Sequence, residues 1–573
     1  MAGKQVSFEI HLFRENRWVM DTVLSDEAKA RAFAQSILSD KKIEGVRIIK
    51  EWRRLDGTFG EDTIFEKMKS PNKKKDLSIS EITAAPKCEA FQDLYGHDGR
   101  TTVNRIMRKY LDDVVLTPTE LLHSYRDLKR LLDMDITQSA VDKVATLQAR
   151  QEGGDARRRR DELFGFLEKA SQRAKQVVDR DTIPKVKDLG FSAAVSRIDQ
   201  SAPAEDRDFL AMVAMSRVLV DIRSWLGKMT EVFIQMDKAA DAARPILLLD
   251  GLVADILGAK DVIPDLLGNQ ANLGTAIIRL ADLVGGRFPL AGRDQGDPII
   301  ALNQRLGTNQ IGETRATLVD YLVRQIRMTQ PLARNEPSVE FEMFKQVLGR
   351  LVTTTDIFGG PAVAEAMAQR YLRFLPQGGA PGRGEAVKVS AGFLPTGRQK
   401  VRFLTALLDT ELGHEQASLI REELDNMVGR AQKVDELVPA RAPPKAKMEE
   451  VSGMYRILLA SSLPTDVSTR LATNLDEILA QFLQANQIIE KLDRPEDSLR
   501  LRATRLVQFC ASGVLTDGKA FELARKAVLS HLRQPKFEAA FVEGITDPSL
   551  QERTIREFHD LLATSNFFRD QQK

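Results

Sequence analysis

The most regular apolar spacing in the chain lies between Asp206 and Asp241. Met215, Ile222, Met229 and Met236 fall seven residues apart. Val218, Trp225 and Val232 form a second such row, with Leu219, Leu226 and Phe233 beside it. As the a, d and e positions of a heptad they make an apolar stripe about 100° wide, the face a bundle helix turns to its neighbours. Pro203, Glu205 and Asp206 suit a helix start and Pro245 limits the end. The pattern therefore predicts one uninterrupted helix over about 203–243, roughly 60 Å long, with Trp225 at its packing centre. Val220 and Ile234 lie outside the stripe and call for a second layer of helices or a partner to cover them.

Residues 1–68 follow a different period. Val6, Phe8, Ile10 and Leu12 alternate with polar neighbours, as in a half-buried strand. Arg14-Glu15-Asn16 reads as a turn into a second strand over Arg17 to Val23. Ser25 offers an N-cap, and Ala28, Ala32, Phe33 and Ile37 a helical face. Val46, Ile48 and Trp52 resume the strand period, Asp56-Gly57 signals a hairpin, and Thr63 to Phe65 closes a ββαββ module.

Beyond it the periods are helical. The run KMKSPNKKK at 67–75 opens a linker over 69–96, read as a solvated tether. A helical bundle is predicted over 97–285, a second helical block over 299–375, a helical pair over 393–435 and a C-terminal bundle of five or six helices over 447–573. Thr117-Pro118-Thr119-Glu120 is the clearest local signal: Thr117 caps, Pro118 takes the first helical position and Glu120 completes a capping box. Connections rich in Gly and Pro fall at 285–298, 376–384 and 438–445, and no fixed-period repeat joins the blocks. The fold class is mainly α: helical bundles in several domains behind a small N-terminal α+β module.

Composition narrows the function classes. Aromatic residues at 6% favour helix over sheet, and a formal net charge of +2 gives no global attraction to nucleic acid or anionic membrane. Two distant cysteines, Cys88 and Cys510, form no disulfide framework or metal set, which fits a reducing, cytoplasmic setting. The N-terminus lacks the charged-then-apolar pattern of a signal peptide. The oiliest stretch, Pro245 to Gly258, is short and carries Asp250 and Asp255, which argues against a membrane span.

Four constellations could carry chemistry. His97-Asp98 and His559-Asp560 resemble the dipeptide of metal-dependent phosphohydrolases, but neither has companion ligands at workable spacing, so no metal site is expected. Arg157 to Arg160 point in all directions around a helix, favouring a solvated face or inter-helix ion pairs over a phosphate site. Paired carboxylates such as Asp112-Asp113, Glu422-Glu423 and Glu449-Glu450 read as polar helix faces. Gly392 and Gly397 have the spacing of a phosphate-binding loop, after a possible strand at Val387-Lys388-Val389 and before a helix. Arg398 stands where that motif needs Lys, Gln399 replaces the metal-binding hydroxyl, and Pro395 removes an N–H, so a turn feeding a helix is the preferred reading.

No catalytic residue, metal or cofactor is assigned. The expectation is a non-enzymatic cytoplasmic interaction, scaffold or regulatory protein with a protein partner or self-association and no membrane contact. The alternatives are a nucleotide-responsive regulator or enzyme with an atypical site around Gly392, Gly397 and Arg398, and a weak nucleic-acid binder acting through its basic runs.

Overall fold

A computed structural model describes residues 6–14, 17–37, 45–53, 59–68, 79–80, 82–178, 182–240, 242–333, 337–374 and 382–564. It is mainly helical, with a small antiparallel sheet at the N-terminus, as the periods predict. The turn at Glu15-Asn16 and the hairpin at Asp56-Gly57 lie outside the described residues.

The sheet contains β1 (Val6–Arg14), β2 (Arg17–Leu24), β3 (Gly45–Arg53) and β4 (Phe59–Met68) in the order β2-β1-β3-β4, with every neighbouring pair antiparallel. Ile10 stands opposite Ile48 and Leu12 opposite Val46, so the alternating residues meet on one face. Helix α1 (Glu27–Ile37) covers that face, and Ala30 and Ala34 allow close approach to Phe8, Ile10, Leu12, Val46 and Ile48. β4 runs through Lys67, which pairs with Val46, so strand continues where the basic run begins; residues 69–78 lie outside the described set.

The chain divides into two compact units, Met1–Asn269 with Leu283–Leu318, and Gln270–Asp282 with Val319–Lys573. In the first, Ile82, Ala85, Cys88 and Leu94 are buried in the same apolar cluster as Tyr110, Leu111, Leu121, Leu128 and Val141. The end of the expected 69–96 linker is therefore core. Extended chain of this kind carries no helical or strand period by which to recognise it.

The predicted 203–243 helix is instead two, Arg207–Leu219 and Trp225–Ala239. Ser224 stops the continuity: its side chain accepts the Gly227 N–H at 3.0 Å and caps the second helix. The heptad spacing survives the break, which is why the pattern conceals it. Eight consecutive residues of the first helix, Phe209 to Ser216, are buried, so this helix is apolar all round rather than striped. It packs on the Pro118–His123 helix and on Phe191–Ser201, a helix absent from the sequence reading although Phe191, Ala194, Val195 and Ile198 mark its buried face.

Trp225 is the first residue of the second helix and only half-buried, with Arg108 over its ring at 5.3 Å. The packing centre lies at Met229, Val232, Phe233 and Met236, each 3% exposed or less. Val220 and Ile234 are half-buried.

In the second unit, Val387-Lys388-Val389 belongs to the helix Arg383–Gly392 and not to a strand. β-branched residues favour strands only weakly, and here Ala386, Val387, Ser390 and Ala391 bury a helical face. The C-terminal block holds seven helices from Pro444–Leu459 to Pro548–Thr564, two of them only five residues long.

These positions predict contrasting truncations. Phe233→Ala is expected to cost about 3–5 kcal/mol in urea unfolding, and Trp225→Ala less than about 2 kcal/mol. Equal losses at the two sites would restore Trp225 to the packing centre.

Candidate functional site

The strongest cap signal in the sequence also sits at a group of buried charges in the first unit. The Thr117 hydroxyl accepts the Glu120 N–H at 3.0 Å, and the Glu120 carboxylate accepts the Thr117 N–H at 2.9 Å, completing the expected capping box. The same carboxylate accepts from Lys228 Nζ at 2.6 and 2.7 Å, with both side chains 2% exposed or less. Burial lowers the Lys228 pKa, and Glu120 opposes that shift.

A second carboxylate serves the same helix. Asp255 accepts the Thr119 N–H at 3.0 Å, the Thr119 hydroxyl at 2.6 Å and Arg100 Nε at 3.0 Å. Arg100 also donates to the Tyr95 carbonyl at 2.7 Å and to Glu313. Burial alone would lower the Arg100 pKa; Asp255 and Glu313 outweigh it and raise it. His97 Nδ1 lies 3.4 Å from Glu313. Asp250 accepts the N–H groups of Glu313 and Thr314 at 2.8 and 3.0 Å, capping the Gly312–Arg327 helix. Gly251 lies between the two aspartates, and a Cβ there would come within 2.7 Å of Arg100 Nη2. A glycine in mid-helix weakens the helix by about 1 kcal/mol relative to alanine, and here it gives room to a guanidinium that joins two carboxylates.

Beside this network His123 is buried between Tyr95 and Phe209, with ring centroids 5.2 and 4.9 Å away. Its Nδ1–H donates to the Thr119 carbonyl at 2.6 Å. Burial pushes its pKa down to about 4, so the ring is neutral at pH 7. Every carboxylate of the network is engaged by helix N–H groups or cations, an arrangement that locks helices together.

The residues singled out by sequence are dispersed. Gly392 ends one helix, Gly397 begins the Gly397–Leu407 helix, and Thr396 caps the latter by accepting the Gln399 N–H at 3.2 Å. The Arg398 N–H, which a phosphate loop would aim at its ligand, donates to Glu450 at 2.9 Å. The Arg398 side chain crosses the Pro444–Leu459 helix over Gly453, where a Cβ would collide with its guanidinium. His97 and Asp98 open the His97–Ile106 helix, and His559 is exposed. His531, the upstream histidine, instead bonds Asp493 at 2.7 Å. Arg157 to Arg160 divide their roles: Arg159 is buried and donates to Gln148 and to the Cys88 carbonyl, while Arg158 and Arg160 pair with Glu162 and Asp161. No group of three metal-ligating side chains occurs among the described residues, and Cys88 and Cys510 are buried and free.

The sheet also carries exposed apolar residues. β2 is an edge strand on which Val19, Met20 and Val23 are 41%, 51% and 48% exposed. The β1–β2 register shifts between Ile10 and His11, leaving Asp21 as the extra residue of a bulge.

Comparison with protein-family models, with curated proteins and with solved structures finds no match to this chain.

Two measurements test the buried charges. Lys228→Met is expected to cost about 3–5 kcal/mol, because it leaves Glu120 buried without its cation. Adding Glu120→Gln should recover much of that loss, since Gln keeps an oxygen for the Thr117 N–H; a double variant no more stable than Lys228→Met would refute the pairing. For His123, the folded pKa of about 4 lies below its ordinary 6.5. The stability from keeping it neutral is therefore complete above pH 6.5 and lost as pH falls towards 4, about 3 kcal/mol in all. His97 acts oppositely, because Glu313 raises its pKa and that contribution disappears as pH rises above 6.5. Stability–pH curves of His123→Phe should flatten on the acid side; an unchanged acid limb would show that other groups set it.

Proposed function

We propose that this is a non-enzymatic interaction protein whose N-terminal module receives an extended segment of a partner at the free edge of β2. The observation that carries this reading is the exposure of apolar residues on both faces of that edge strand: Val19 on the face of Leu12, Met20 and Val23 on the face of His11 and Glu9. Edges left unpaired in folded proteins are commonly blunted by lysine, proline or a covering element. The described part of β2 carries neither lysine nor proline, and its outer side, which no described strand pairs, is suited to main-chain pairing, with the side chains setting specificity. The bulge at Asp21 twists the strand and limits indiscriminate stacking of edges. Capped helices locked by buried ion pairs give such a module a rigid mount. This reading includes self-association, in which the added strand comes from a second copy.

The test is capture and mass measurement with the full chain. Wild type is expected to retain a partner from extract of its native cell, or to scatter light as a dimer. The triple variant Val19→Lys, Met20→Lys, Val23→Lys should lose that association while its Tm moves by less than about 2 °C, as surface substitutions do. Undiminished association by the variant would remove β2 from the interface. A wild-type monomer that retains nothing would overturn the interaction reading itself.

A further inference from the structure

We infer that Arg398 and Arg402 form a binding site for a phosphate group, carried by the second unit independently of the β2 edge. The two side chains stand one turn apart on the Gly397–Leu407 helix, so their guanidinium groups share one face. Neither forms an ion pair with a carboxylate among the described residues. Glu450, which lies at this helix start, is engaged by the Arg398 main-chain N–H. Asp356 favours the Arg402 charge from a distance, and its own oxygen accepts the Ile357 N–H at 2.8 Å. The only hydrogen bond of the Arg402 side chain among the described residues is to the Thr354 carbonyl at 3.3 Å.

Two physical features coincide at this pair. First, Nε of both arginines is buried without a hydrogen-bond partner. Other arginines with an unpartnered Nε, such as Arg305, Arg315 and Arg370, place their terminal nitrogens on carboxylate or carbonyl oxygens. Arg398 has no such outlet among the described residues, whereas Arg402 reaches the Thr354 carbonyl. Burial and the neighbouring Arg398 both lower the Arg402 pKa, which is the response of two half-buried like charges with insufficient counter-charge. Second, the Pro444–Leu459 helix carries Gly453 where the Arg398 guanidinium crosses it, just as Gly251 makes room for Arg100. At Gly251 the admitted guanidinium joins Asp255 and Glu313. At Gly453 it joins nothing among the described residues, although the mid-helix glycine still weakens its helix.

An oxyanion on the terminal nitrogens supplies the missing counter-charge. The guanidinium fork matches two phosphate oxygens, each arginine can supply charge-assisted donors, and one anion between them cancels their repulsion. The Thr353-Thr354-Thr355-Asp356 turn stands alongside, held to the same helix by Gln399 Nε2 on the Val352 carbonyl at 2.6 Å and by the Arg402 bond to Thr354. Its Thr354 hydroxyl makes no internal hydrogen bond among the described residues. The arrangement differs from a phosphate-binding loop: side chains, not main-chain N–H groups, would hold the anion, and the glycines at 392 and 397 take no part in it.

Thermal unfolding and calorimetry of the full chain test the site with inorganic phosphate, adenosine monophosphate and sodium chloride at equal ionic strength. Phosphate or its ester should raise Tm by about 2 °C or more over chloride. A larger rise with the nucleotide assigns the site to an esterified ligand, and a larger rise with the free ion assigns it to inorganic phosphate. Arg402→Gln and Arg398→Gln should each weaken binding about tenfold or more. Gly453→Ala should weaken it too, by displacing Arg398 without removing a charge. Should Arg398→Gln fail to fold, Arg402→Gln and wild type decide alone. Equal Tm in phosphate, nucleotide and chloride overturns the inference, as does full binding by Arg402→Gln.

Discussion

Asp250 and Asp255 lie in the most apolar helix of the first unit, Ala243–Leu257, and each is buried to within a few per cent of its surface. An isolated carboxylate there would cost far more than the helix gains by packing. Both are tolerated because each meets the unsatisfied N–H groups of another helix: Asp250 those of Glu313 and Thr314, Asp255 that of Thr119. The positive end of the helix dipole and the bare N–H groups supply what water would otherwise give. Helix packing by apolar faces is permissive in register, whereas a carboxylate seated on a particular N-terminus is not. These two aspartates consequently fix which helices are neighbours and at what height, and the Arg100 and Lys228 ion pairs build outwards from them.

The second unit repeats the device with different residues. Asp476 accepts the N–H groups of Lys519 and Ala520, and Glu450 that of Arg398. A carboxylate from one helix completing the start of another segment is thus the common joint of the molecule. Arg398 and Arg402 stand apart from that economy of paired charge, and this contrast, rather than their positive charge alone, distinguishes them.

Local signals in the sequence were readable where the physics is local. The period of β1, the capping box at Thr117 and Glu120 and the ββαββ order all follow from a few adjacent residues. Features set by distant partners were not. The heptad through Ile222 and Trp225 spans a helix break because Ser224 offers only a single cap and the spacing continues across it. Asp250 and Asp255 registered as charges that argue against a membrane span, with no indication of the N-termini they serve. Lys228 sits 108 positions from Glu120, a separation no periodicity reports. The glycine spacing points to the Arg398 main chain, whose N–H is taken by Glu450, and says nothing of its side chain, which crosses Gly453 on the sequence-distant Pro444–Leu459 helix.

The return of Leu283–Leu318 to the first unit also has a consequence for synthesis. A ribosome adds roughly 5–20 residues per second. The 64 positions between Asp250 and Thr314 therefore take about 3–13 s to emerge. Throughout that interval the nascent helix carries an aspartate with no N-terminus to receive it, while residues of the other unit, Gln270–Asp282, are already leaving the exit tunnel. Neither unit can close in the order in which it is made. Completion of the first waits for Leu283–Leu318, which is made after the opening segment of the second, and completion of the second waits in turn for Val319–Lys573.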